Sequence, residues 1–172
     1  ESKRLGEALC NAYSAQKGID FVIGRFSRVY GPTMLRDDSK AIAQFIKRAA
    51  AGENIVLKSE GTQIYSYTYV VDAAVAALYL IIYADSGEAV NIADRYSDIS
   101  LKDLATILAE IAHSKVIFEL PDEVERAGYS TATKAILDSR KMEALGWRAE
   151  TNIREGLYKT VECMRNKGEA IS

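Results

Sequence analysis

An α/β fold is what this sequence predicts, and three observations predict it. Short apolar runs rich in β-branched residues alternate with segments of helical period along the 172 residues. An opening helical segment closes at Gly18 just ahead of the apolar run at 21–26, the order seen in the second half of a parallel βαβ unit. That run reads as a buried parallel strand, which needs neighbours on both sides, and few other segments here can supply them.

Each element has its own justification. Residues 3–17 predict a helix because Leu5, Ala8, Leu9, Ala12 and Tyr13 fall on one stripe, with Gly18 in the place of a left-handed cap. Residues 21–26 predict the buried strand. Tyr30-Gly31-Pro32 predicts a loop, since Pro fixes φ and Gly permits unusual turns. Ser39 is expected to cap a helix to about Ala51, with Ile42, Phe45 and Ile46 on its buried face. Ile55-Val56-Leu57 predicts a short strand, and Gly61 a turn before the tyrosine-rich run 64–71. Asp72 is expected to open a helix to about Tyr83, where its charge suits the helix N-terminus. Residues 89–93 predict another strand. Ser100 and Asp103 form a capping-box-like pair at the head of a further helix. Residues 116–120 predict a strand ending at Pro121, and 122–133 a long polar loop. Helices are expected near 139–145 and 153–165, with Gly146-Trp147 between them.

Composition narrows the function classes. A hydrophobic share of 48% and a charged share of 27% are those of an ordinary globular protein. A net charge of −2 carries no polyelectrolyte signature, so no nucleic-acid partner is expected. Cys10 and Cys163 lack metal-type spacing and read as two reduced thiols, which fits a cytoplasmic location. His113 is the single histidine and sits at the expected end of a helix, where capping is favoured over catalysis; no metal site is expected. The longest apolar stretch, 73–84, is too short to span a bilayer, so no membrane partner is expected.

Lys3 stands near the start of a helical pattern. A Tyr four residues before it would share its helix face and form a proton-transfer couple. That Tyr would lie just upstream of residue 1, so the chain is expected to be a piece cut inside its own motif, with the cofactor-binding half absent. Four segments then carry a resemblance. Ser2-Lys3-Arg4-Leu5-Gly6-Glu7 is similar to the end of a Tyr-x-x-x-Lys helix. The turn Arg25-Phe26-Ser27-Arg28-Val29-Tyr30-Gly31-Pro32 resembles Arg-x-x-Asn-Val-Tyr-Gly-Pro. Residues 61–72 resemble Gly-x-Gln-x-Arg-(Asp/Ser)-Phe-x-Tyr-Val-x-Asp. Residues 138–147 match a late Lys-x-x-x-Leu-Gly-Trp element, and Asn91-Ile92-Ala93 and Glu155-Gly156-Leu157 also sit in place. In this order they resemble the C-terminal half of the extended short-chain dehydrogenase/reductases, the NAD-dependent nucleotide-sugar epimerase/dehydratase group.

The resemblance implies a partial NAD(P)-binding Rossmann-like fold joined to a small C-terminal substrate-binding α/β domain. Residues 1–30 would be the remnant of the Rossmann domain and 31–172 the substrate domain, with the strand 89–93 returning to the Rossmann sheet. It implies transient oxidation of a sugar carbon, with NAD favoured over NADP and bound mainly by the absent half. Lys3 would lower the pKa of the family's Tyr and hold the nicotinamide ribose. Phe26, Ser27 and Arg28 would contact the nicotinamide end, while Arg28, Tyr30, Gln63, Tyr65 and Arg126, with Tyr129, fall on the substrate side. Arg28 replaces the usual Asn and would pair with a diphosphate, a sugar carboxylate or a surface acid. Tyr65 replaces an Arg that faces the diphosphate; Arg28 compensates or the substrate differs, and Tyr65 either stacks on the ligand or is an ordinary strand residue. Tyr67, Tyr69 and Trp147 are expected in the core, Arg25 as a tie after its strand, and Asp72 as a helix cap. Epimerase, dehydratase and decarboxylase outcomes stay open, and the piece alone is expected to be inactive. Two other readings are a non-catalytic nucleotide-sensing relative and a structural or interaction module. The partners implied are a nucleotide-sugar and a second copy, as a homodimer or a domain-swapped oligomer.

Overall fold

The computed structural model describes residues 1–35, 37–119 and 133–169. Helix α1 (Ser2–Lys17) ends at Gly18, whose φ of 64° lies in the left-handed region and whose N–H bonds Ser14 O at 2.8 Å. No residue of α1 is buried: Leu5, Leu9 and Tyr13 are all half-exposed or more. Arg25 holds the helix to the strand that follows, donating from Nε and Nη2 to the Glu7 carboxylate at 2.8 and 2.6 Å, so the expected tie is present. That strand, β1 (Ile23–Phe26), pairs in parallel with β5 (Ala89–Ile92), from Ile23↔Ala89 to Phe26↔Ile92. The expectation of a buried strand needs correction. Arg25 and Phe26 are exposed, because among the described residues β1 has a partner along one edge only.

A second sheet is built on β4 (Ile64–Tyr69). Parallel to it runs β2 (Arg28–Tyr30), with Arg28 opposite Tyr67 and Tyr30 opposite Tyr69. Antiparallel to it runs β6 (Asp98–Ser100), and β8 (Lys134–Ala135) adds a parallel bridge at Ile64 and Tyr65. The repeat Tyr65-Ser66-Tyr67-Thr68-Tyr69 explains itself here, since successive strand residues face opposite ways. The three tyrosines point to an apolar layer and are buried, as expected for Tyr67 and Tyr69. Ser66 and Thr68 point to a polar layer whose groups are paired. Ser66 Oγ donates to Asp98 and accepts from Leu137 N, while Thr68 Oγ1 bonds Ser27 Oγ at 2.7 Å and accepts from Asp94 N.

Three helices pack over the tyrosine layer: α2 (Ala41–Ala50), α4 (Leu101–Ala112) and α6 (Ile153–Glu169). With β3 (Ile55–Leu57) and its parallel partner β7 (Val116–Phe118) they enclose one core around Tyr30, Ile46, Leu104, Leu108 and Leu157. A second core joins α3 (Val70–Tyr83) to β5 and α5 (Arg140–Ala144) through Ala76, Leu80, Val90, Met142 and Trp147, the expected anchor. The opposite face of α3 exposes Val71, Leu78, Ile81 and Ile82.

The local signals held unevenly. Ser100 caps α4, accepting from Asp103 N at 3.0 Å, and His113 closes it with φ 53°. Ser39 does not cap α2; Lys40 is the cap residue, and the carboxylate of Asp38 accepts its N–H at 2.9 Å. Asp72 lies in the first turn of α3 but does not cap it. Its buried carboxylate accepts instead from Glu150 N and Thr151 N at 3.1 and 3.2 Å, tying down a distant turn. The short strands β2, β6 and β8 carry too few residues to show a period. The strand read at 116–120 stops at Phe118, and most of the expected loop 122–133 lies outside the described residues.

Candidate functional site

A cleft of about 490 Å³ opens where α2, β3 and β4 meet. Its walls follow from the fold. The cap and outward positions of α2 give Lys40, Gln44 and Arg48, the segment just after β3 gives Lys58 and Ser59, and Phe45, Leu57 and Leu101 form apolar patches. β2 and β4 close the remaining side with Arg28, Gln63, Tyr65 and Tyr67. Among the described residues, four cationic side chains line this cleft and no Asp or Glu does. A concave, partly apolar surface with convergent polar groups is the usual form of a small-ligand site, and this charge suits an anion.

Within the cleft, Arg28 and Tyr65 form a stacked pair, with the guanidinium carbon 3.7 Å from the ring centroid. In the parallel pairing Arg28 stands opposite Tyr67, so Tyr65 is its diagonal neighbour on the same face. Burial pushes the Tyr67 phenol up, and the nearby charge of Arg28 pulls against that shift. Lys40 is committed to Asp38 at 3.0 Å, and Arg48 reaches Glu53 at 3.6 Å. Among the described residues no carboxylate pairs with Arg28. Gln63 has its side-chain oxygen buried without a donor among the described residues.

The structure therefore brings Arg28, Gln63 and Tyr65 together. Tyr30 is placed otherwise. It does not line the cleft; its ring is 1% exposed, stacks near Tyr69, and its hydroxyl donates to Ile153 O at 3.4 Å. Its side chain is a core group, because β2 points that end of its face under α6. Lys3, exposed on α1, lies away from the cleft lining, and so do the exposed Phe26 and the half-buried Ser27 at the end of β1. Arg126 and Tyr129 lie outside the described residues. The sequence reading missed Lys40, Arg48 and Lys58. Each sits in a separate segment with no motif, and only the position of α2 over β3 brings them to one cleft.

A profile of the NAD dependent epimerase/dehydratase family matches residues 1–93. The chain is 32% identical over 161 residues to UDP-glucuronic acid decarboxylase 5 of Arabidopsis thaliana, covering 91% of this chain and 45% of that protein. It is 31% identical to a putative UDP-glucose 4-epimerase of Methanocaldococcus jannaschii, covering 96% of this chain and 52% of the other. Among solved structures, a UDP-glucose 4-epimerase of Thermotoga maritima with UDP-glucose superposes at a TM-score of 0.80 and 26% identity, over 94% of this chain and 51% of that one. The chain thus spans about half the length of the relatives it matches. With its helix–strand order, its parallel β1–β5 and β2–β4 pairs and this coverage, the chain belongs to the NAD dependent epimerase/dehydratase family.

Proposed function

We propose that this chain is the nucleotide-sugar-binding portion of an NAD-dependent epimerase or dehydratase that works through transient oxidation of a sugar carbon. The observation that carries the reading is the cleft, whose described lining holds four cations and no acid beside buried aromatic rings, which matches a diphosphate joined to a flat base and a sugar. Lys40, Arg48 and Lys58 would meet the ligand's charge from the helix side, and Arg28, Gln63 and Tyr65 from the sheet side. Residues 31–172 form this substrate domain, and 1–30 with 89–93 belong to the dinucleotide-binding part.

The residues at the end of β1 fit the nicotinamide end of NAD. In open α/β sheets ligands bind beyond the carboxyl ends of parallel strands, and β1 and β5 both end there, at Phe26 and Ile92. Phe26 is 44% exposed there, and Ser27 is fixed by its bond to Thr68. NAD, when bound, supplies the hydride acceptor. Lys3 would hold the ribose and favour the ionised form of a neighbouring phenol through its charge. Arg28 is the residue common to both sides, joining the end of β1 to the cleft. The chain contains no Gly-x-Gly-x-x-Gly turn, and by itself it is expected to bind nucleotide-sugar without oxidising it. The half-exposed apolar side chains of α1 and α3 support a parent in which more protein, or a second copy, covers them.

Thermal unfolding with a panel of UDP-, dTDP-, GDP- and CDP-sugars tests the reading. A ligand at about a hundred times its Kd adds roughly 2.7 kcal/mol to the native state, enough to move the transition by several degrees. At least one nucleotide-sugar is expected to do so, while the free sugars are not. No shift with any of them at millimolar concentration would count against the assignment.

A further inference from the structure

We propose that the outer face of α3 is a self-association surface, on which a second copy of this chain packs its own α3, antiparallel, about a two-fold axis. The helix has two unlike sides. Ala73, Ala76 and Leu80 are buried, whereas Val71, Ala74, Val75, Leu78, Ile81 and Ile82 face solvent, the large ones running from 41% exposed at Val75 to 74% at Ile81. A surface helix ordinarily turns polar residues outward, and this one does the reverse. Positions 71, 74, 78 and 81 follow the three-and-four spacing of a helix–helix seam, with 75 and 82 beside it. Two observations select a second copy as the occupant. The first is charge. Asp72 is the single charged residue of α3, and its buried carboxylate is taken by Glu150 N and Thr151 N. The outer face therefore offers no charge for a different partner to match, and two identical copies meet there without like-charge repulsion. The stripe of α1, by contrast, runs among Lys3, Arg4 and Glu7. The second observation is symmetry. Val71, Val75, Leu78 and Ile82 stand four, three and four residues apart, an order that reads the same from either end. An antiparallel pair sets Val71 of one copy against Ile82 of the other and Val75 against Leu78, as an isologous contact requires. The small Ala74 lets the axes approach to the roughly 8–10 Å of packed helices. At 14 residues the helix is about 21 Å long and covers less than the about 800 Å² per partner of a standard interface, so the dimer is expected to be reversible. None of these residues lines the cleft, and the inference stands apart from the ligand reading.

Sedimentation of the 172-residue chain, without nucleotide, from about 1 to about 300 µM tests this, the range in which an interface of this size exchanges. The mass is expected to rise with concentration toward twice that of the chain. Leu78→Glu should weaken the association at least tenfold while keeping the urea midpoint near wild type, because the side chain is 59% exposed. Leu9→Glu on α1 should leave the association unchanged. The register is tested by charge: V75K/L78K and V75E/L78E should each be monomeric alone, and an equal mixture should recover a dimer, which also shows that both variants fold. A wild type that stays monomeric at the highest concentration overturns the inference. So does a dimer that survives Leu78→Glu, one that Leu9→Glu abolishes, or a mixture that does not recover.

Discussion

Gly156 sits in the first turns of α6, where most residues would strengthen a helix, and the structure states why it is glycine. A Cβ built there falls far inside van der Waals contact of Tyr30 Oη, 3.0 Å from Cζ and 3.2 Å from Cε2. Tyr30 cannot step aside. Its ring is 1% exposed, with Tyr69 centred 5.7 Å away and Tyr67 at 6.5 Å. Replacing Gly156 by Ala gains about 1 kcal/mol of helix propensity. Against that, forcing a methyl into a packed core costs about 1–3 kcal/mol and more when the neighbour is boxed in. The overlap with a boxed ring puts Gly156→Ala at the upper end, for a net loss of about 2 kcal/mol. In a domain of this size that lowers Tm by roughly 4–8 °C. Urea unfolding of wild type, Gly156→Ala, Tyr30→Phe and the double variant measures it. Removing the hydroxyl takes away the worst overlap, so the double variant should lose less than the two single losses together. A Gly156→Ala protein as stable as wild type would refute the reasoning, because the overlap would then cost no more than the roughly 1 kcal/mol that helix propensity returns.

Two further perturbations follow from the hydrogen bonds. Asp72→Ala should cost about 2–3 kcal/mol in urea unfolding by leaving Glu150 N and Thr151 N without their buried acceptor, and Asp72→Asn should cost less; a change below about 0.5 kcal/mol for Asp72→Ala would show the turn is held by other means. Asp138 accepts from the guanidinium and backbone N–H of Arg140, which lowers its pKa to about 2. Its contribution to stability is therefore complete above the ordinary carboxyl range and lost as pH falls toward 2, so NMR should place its titration near 2, and one near 4 would show the pair absent in solution.

What could be read from the sequence divides along physical lines. Alternation is a local property, so the buried tyrosines 67 and 69 were legible, as was the Ser100–Asp103 cap, which needs only three residues of spacing. Arg28 and Tyr65 were legible as departures from a family pattern, but their contact was not, since it depends on the register between β2 and β4. Tyr30 was placed on the ligand side because a backbone motif does not say where along a face the core ends. The Ser39 cap failed because α2 starts one residue later: Lys40 is its cap residue, and the Asp38 carboxylate accepts the Lys40 N–H. The cations Lys40, Arg48 and Lys58 come together only when α2 packs beside β3, a long-range event with no local mark.

The tyrosine face joins these results. On β2 and β4 it runs without a break from Tyr30 and Tyr69, under α6, through Tyr67 to Arg28 and Tyr65 at the cleft. Strand residues two apart stand on the same side, so the core end and the ligand end of this row cannot be set independently. Locking Tyr30 against Gly156 fixes β2, and β2 is so short that fixing Tyr30 also fixes the backbone of Arg28. The opposite face is fixed as well, because Thr68 holds both Ser27 and Asp94 N. A cation presented this way has little freedom except at its own tip, where the ligand's anionic group would meet it. That coupling explains why a glycine in α6, itself outside the cleft lining, is part of what shapes the cleft.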